Sequence, residues 1–98
     1  MTITKNLNGG ILEINVEGRL DTTTAPLLEA EIRGSLAGAT ELVLDFEKLA
    51  YISSAGLRVL LSARKMMSAQ GSMRLTGVKG TVREVMDITG FSDILTIQ

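Results

Sequence analysis

Apolar and polar residues alternate strictly early in the chain. In ILEINVEG, residues 11–18, Leu12, Ile14 and Val16 share one side, and Glu13, Asn15 and Glu17 the other. A period of two is that of a strand with one wet face. The preceding TITKNLNGG reads as a short strand ending in a turn, since Asn8, Gly9 and Gly10 tolerate positive φ. The two strands are expected to form a hairpin. The period then changes. In RLDTTTAPLLEAEIRGSLAG, Ala25, Leu28, Ile32 and Leu36 recur at helical spacing. Thr22 to Thr24 are N-cap candidates, Pro26 is tolerated in a first turn, and Gly38 suits the stop.

ELVLDF is an almost continuous apolar run, as expected of a strand buried on both faces. SAGLRVLLSARKMMSAQG is a second helix. Gly56, Leu60, Ala63 and Met67 line its inner face, Arg58, Ser62 and Lys65 its wet face, and Gly71 ends it. SMRLTGV is a further strand. GTVREVMDITG is a third helix, with Val82, Val85 and Met86 at i, i+3, i+4 and Gly90 as cap. FSDILTIQ is expected to close as a short strand or docking tail. The order is β-β-α-β-α-β-α, with that tail as an eighth element. Strand–helix–strand units pair their strands in parallel through a crossover. The fold class is α/β: one mixed, mostly parallel sheet with helices packed on it, in a single domain spanning residues 1–98.

Composition narrows the chemistry. A net charge of −1 leaves no basic footprint for direct nucleic-acid binding, and three aromatic residues offer few stacking platforms. Absence of cysteine and histidine removes disulfides, thiolate and imidazole metal ligands, and the Ser-His-Asp triad. The carboxylates Asp21, Asp45, Asp87 and Asp93 are scattered, no phosphate loop or G-x-G-x-x-G is present, and GVKG at 77–80 is only a turn. The expectation is therefore no enzyme, no cofactor and no metal. No segment is apolar for about 18 residues and the start lacks a signal peptide's apolar region, so a cytoplasmic protein without a membrane span is expected. Nothing requires more than a monomer.

The stretch YISSAGL, residues 51–57, puts two hydroxyls and two small residues where strand LVLDF gives way to a helix. As structure alone, Ser53 or Ser54 is an N-cap, and Ala55 and Gly56 are small because the first turn packs closely on the sheet. As function, a hydroxyl at a helix N-terminus on the rim of an α/β sheet is where partners approach. A phosphate there would meet free N–H groups and the positive end of the helix dipole. It would change the charge of a surface and leave the scaffold intact.

These residues resemble the anti-sigma factor antagonists of the STAS domain family. The likeness rests on VLDFEKLAYISSAGLRVLL from Val43 to Leu61, GRLDTTTA from Gly18 to Ala25, and DITGF from Asp87 to Phe91, and runs from the first strand to the last. The resemblance implies a small bacterial regulator that, unphosphorylated, binds an anti-sigma factor that is also a serine kinase and so releases the sigma factor. Phosphorylation ends the binding, and a serine phosphatase restores it. Matched residue by residue, the phosphoacceptor is Ser54. The position before it, often Asp in the family, is Ser53, which is the second candidate acceptor. Asp21 matches the acidic residue at the end of the second strand, and Thr24 the threonine of the adjoining helix start. Reading outward from these positions along the Asp21 loop, the helix start and the exposed side of that helix, the expected partner-binding residues are Asp21, Thr22, Thr24, Ser53, Ser54, Ala55, Gly56, Arg58 and Ser62. The alternative within the family is a non-phosphorylated adaptor subunit of a stress-sensing scaffold or lipid-transport complex.

Overall fold

The alternating segment builds a hairpin. β1 (Thr2–Asn8) pairs antiparallel with β2 (Ile11–Leu20), in the computed structural model that describes residues 1–98. Leu12, Ile14, Val16 and Leu20 are buried, whereas Glu13, Asn15 and Glu17 are half-buried on the opposite side. The helical stripe forms α1 (Ala25–Ser35), and the apolar run forms β3 (Glu41–Asp45), in which Leu42, Val43 and Leu44 are all buried. Next come β4 (Leu49–Ile52), α2 (Ser54–Ser68), β5 (Ser72–Thr76), α3 (Gly80–Thr89) and α4 (Phe91–Ile94).

The sheet order is β1-β2-β3-β5, and β4 also pairs with β2. All pairings except that of β1 are parallel, as expected for a mixed, mostly parallel sheet. β2 is long enough to serve two neighbours. Residues Ile11–Asn15 pair with β3, and Gly18–Leu20 pair with β4. Register shifts between Gly18 and Arg19, where Gly18 takes φ 97°. That left-handed conformation suits glycine, and an irregularity there lets one strand switch partners.

One core cluster unites the inward side of the sheet with Ala25, Leu28, Ile32 and Leu36 of the α1 region, Leu57, Leu60, Ala63 and Met67 of α2, and Val82 and Met86 of α3. No polar or charged residue is buried. The helical stripes expected from spacing are therefore the observed inner faces.

One expectation needs correction. β3 does not give way directly to α2, because Leu49–Ile52 forms a further strand between them. Phe46–Lys48 make a tight turn in which Leu49 N–H donates to Phe46 C=O and Glu47 N–H to Asp45 Oδ1. The chain thus continues in the same direction, and a four-residue strand gives too short a pattern to read by period. The tail, expected as a short strand or docking tail, takes the second form. Gly90, at φ 82°, stops α3 and starts the short α4. Only Ile97 then bridges Leu75 in parallel, with Leu75 N–H donating to Thr96 C=O and Gln98 N–H to Leu75 C=O.

Candidate functional site

The site grows from the ends of β2 and β4. Leu20 pairs with Ile52, and the next backbone donor, Ser53 N–H, bonds to Leu20 C=O at 2.9 Å. The start of α2 is thereby fastened to the loop that opens α1. Ser53 is the N-cap: its backbone is extended (φ −100°, ψ 176°), and its Oγ accepts from Gly56 N–H at 3.5 Å. Ser54 is the first helical residue and is exposed, while Ser53 is half-buried. The two serines thus divide the work. One hydroxyl holds the helix end, and the other has no hydrogen bond within the chain.

Gly56 is buried beneath this corner. A Cβ there would stand 2.8 Å from Leu20 Cγ and from Ile52 Cγ1. Both neighbours lie in the closed core, so neither can give way. The small residue expected at the first turn is therefore required by close approach of helix to sheet. Gly56 supports the surface from below and presents no side chain to a partner.

The Asp21 loop forms a self-bonded turn. Asp21 Oδ1 accepts from Thr23 N–H at 3.0 Å and Thr24 N–H at 3.2 Å. Thr24 Oγ1 accepts from Asp21 N–H at 2.9 Å and lies 2.7 Å from Arg19 C=O, to which it donates. Thr24 occupies the N-cap position of α1, but its hydroxyl caps nothing in the helix. The Asp21 carboxylate does not cap the helix either: the N–H groups it holds, those of Thr23 and Thr24, lie ahead of α1, and the first helical N–H, that of Ala25, donates to Asp21 C=O at 2.8 Å. Thr24 is consequently a structural residue of this turn, while Thr22 is exposed beside it.

The Asp21 carboxyl is held below the usual carboxylate range, chiefly by the Thr24 N–H, with help from Thr23 N–H, the Thr24 hydroxyl and the nearby Arg19 guanidinium; partial desolvation opposes this. A carboxylate with a lowered folded value adds stability above its unfolded pKa of about 4, and that stability drains as pH falls through the folded value. Asp21→Ala is expected to unfold at lower urea than the parent at pH 7. Because protonation removes the same bonds, the gap between the two closes below pH about 4. Urea midpoints across pH check this, and a gap of constant size would count against it.

Between α1 and α2 lies a shallow groove of about 210 Å³, lined by Thr22, Ala25, Pro26 and Glu29 on one side and Ala55, Arg58 and Val59 on the other. Further along α2, Arg58, Leu61, Ser62, Arg64 and Lys65 line a second hollow. Ser62 is half-buried, with its Oγ 3.4 Å from Arg33 Nη2 of α1. Of the expected partner-binding residues, Thr22, Ala55 and Arg58 thus meet in one groove, with Ser53 and Ser54 at the adjoining helix start and Ser62 one hollow away. Pattern reading passed over Arg19 and Tyr51. The Arg19 guanidinium sits 4.2 Å from the Tyr51 ring centroid and 3.8 Å from Asp21 Oδ2. They are neighbours across β2 and β4, so recognising β4 would have revealed them. No group of three His, Cys, Asp or Glu is placed to hold a metal ion, and no helix is long and apolar enough to cross a membrane.

Comparison with known proteins agrees with this geometry. A family model described as STAS domain matches residues 2–98. BtrV of Bordetella bronchiseptica, provisionally named an anti-sigma factor antagonist, is 39% identical, over 99% of this chain and 85% of its own length. An anti-sigma factor antagonist from Mycobacterium paratuberculosis superposes with a TM-score of 0.89 at 23% identity, over 98% of this chain and 83% of that one. The Bacillus protein SpoIIAA superposes in both its unphosphorylated form (TM-score 0.77, covering 99% of this chain and 87% of that one) and its phosphorylated form (0.76, covering 99% and 91%), each at 20% identity.

Proposed function

The chain belongs to the STAS domain family, and from that premise we propose that it is an anti-sigma factor antagonist switched at Ser54. In this reading the unphosphorylated form binds an anti-sigma factor that is also a serine kinase, and so releases the sigma factor. The kinase moves the γ-phosphoryl of ATP to Ser54 Oγ. ADP leaves, and the hydroxyl proton passes to a base on the kinase. A serine phosphatase reverses the step by hydrolysis.

The observation that carries the proposal is the division between the two serines. Ser53 accepts from Gly56 N–H and keeps the helix capped. Ser54 is exposed on the first turn and can change its charge without costing the helix its cap. The docking surface is the Asp21–Thr22 loop, the Ala55–Arg58 side of the groove and the outer side of α2 towards Ser62. A dianion in the middle of that contact must be desolvated, and leaving it uncompensated costs a few kcal/mol. That SpoIIAA keeps one fold in both forms suits a switch acting through surface charge.

Incubation with the cognate kinase and ATP tests the assignment. One phosphate, mapped to Ser54, is the expected product by intact mass and peptide mapping. A phosphate on Ser53, or none after prolonged incubation, would overturn it.

A further inference from the structure

The chain's ten lysine and arginine residues are unevenly paired. Lys5, Arg19, Arg33, Arg74, Lys79 and Arg83 each lie within 4 Å of a carboxylate oxygen. Lys48, Arg58, Arg64 and Lys65 have no such partner. Three of those four stand on α2, a helix of 15 residues without a single Asp or Glu. Arg58, Arg64 and Lys65 are all exposed, and with Leu61 and Ser62 they line one hollow. The opposite side of the molecule has the other sign. Glu13, Glu17, Asp45 and Glu47 line a hollow on the wet face of the sheet, with Lys48 as its one cation. An extended polyanion such as a nucleic acid or an anionic membrane would be repelled by that side and drawn by only one strip. A protein surface with a local acidic patch fits a strip of this size without meeting the far face.

Ser54 lies four residues before Arg58 on the same helix. Residues so spaced are surface neighbours, with Cβ atoms about 5–6 Å apart. We propose that Arg58, Arg64 and Lys65 form the strip that docks an acidic patch of the partner protein, and that a phosphate on Ser54 disables it by pairing with Arg58 on the same helix. The inference rests on the function proposed above and adds how the switch acts. A phosphoserine carries up to about two negative charges and offers oxygens that match a guanidinium in a two-bond pair. It occupies the nearest cation and takes the strip from three positive charges to about one. The partner then loses an attraction as well as meeting a repulsion.

The test uses the full chain, labelled with ¹⁵N, in three forms: unmodified, Arg64→Gln/Lys65→Gln, and carrying phosphoserine at position 54. The probe is poly-L-glutamate, with a DNA duplex of equal charge as comparison. The unmodified chain is expected to show glutamate-dependent amide shifts centred on α2 that vanish at high salt. The double variant and the phosphorylated chain bind at least about tenfold more weakly. Shifts centred on another face, or tighter binding of DNA at the same residues, overturn the choice of an acidic protein patch. Pairing with Arg58 is read separately by ³¹P titration: the phosphate should ionise at lower pH with Arg58 than in the Arg58→Gln protein. Equal midpoints overturn it. Neither readout uses a kinase or a sigma factor. A chain that passes both yet binds no anti-sigma factor keeps this inference and loses the function proposed above.

Discussion

Gly71→Ala is expected to lose about 3 kcal/mol or more of folding stability. Gly71 stands where α2 ends and the chain turns into β5, with its N–H bonded to Met67 C=O at 2.7 Å. An added Cβ would fall on the carbonyl oxygen of Thr40 and also press its carbonyl carbon and Cα. These are backbone atoms, so no side chain can swing aside. The same oxygen accepts Ser72 N–H at 3.0 Å and helps start the β3–β5 pairing. Relief therefore requires shifting one strand entrance and weakening that bond. For a domain of this size the loss corresponds to a fall in Tm of at least about 12 °C. Gly34→Ala is the matched control. Gly34 lies within α1 with nothing within 4 Å of the added atom, so helix propensity alone decides and stability should rise by up to about 1 kcal/mol. Thermal and urea unfolding of both proteins decide the matter. If Gly71→Ala melted within a degree or two of the parent, the close approach would be wrong.

Phosphate on Ser54 is expected to weaken partner binding by about a hundredfold or more. Every 1.4 kcal/mol is a factor of ten, and burying a dianion against a surface selected for the neutral hydroxyl costs at least twice that. Ser54→Ala should bind within about threefold of the parent, since the exposed hydroxyl holds nothing else in the chain. Ser53→Ala should behave differently. It removes the cap bond to Gly56 N–H, costing about 1 kcal/mol of helix stability, but leaves the switch in place. Titration calorimetry with the anti-sigma factor, using authentic phosphoprotein, separates the three. Undiminished affinity of the phosphoprotein would remove Ser54 from the interface.

The sheet and helices were largely legible because burial here follows period closely. Leu12, Ile14 and Val16 alternate, and Ala25, Leu28, Ile32 and Leu36 repeat at helical spacing; the core takes both sets whole. What escaped the pattern was short or sequence-distant. β4 has four residues, and the tail joins β5 through one bridge. The exposed Ser54 and its groove neighbours were readable from a motif, but the self-bonded turn ahead of α1, which leaves the helix without a side-chain cap, was not. Threonine and aspartate are both good caps, and only three-dimensional closeness to Arg19 C=O turns the Thr24 hydroxyl away from the helix. Gly56, by contrast, was readable as a spacer: the close packing expected of the first turn is met by its place against Leu20 and Ile52.

β4 meets the sheet through just three rungs, Gly18–Leu49, Arg19–Tyr51 and Leu20–Ile52, whereas β2 and β3 share five. Strength is thus graded along a single long strand. The end that carries both serines is nevertheless pinned, by Ser53 N–H on Leu20 C=O and by the fit of Gly56 against Leu20 and Ile52. The Ser54 hydroxyl therefore stands open on a braced corner, and a visitor can reach it without prising any part of the molecule loose.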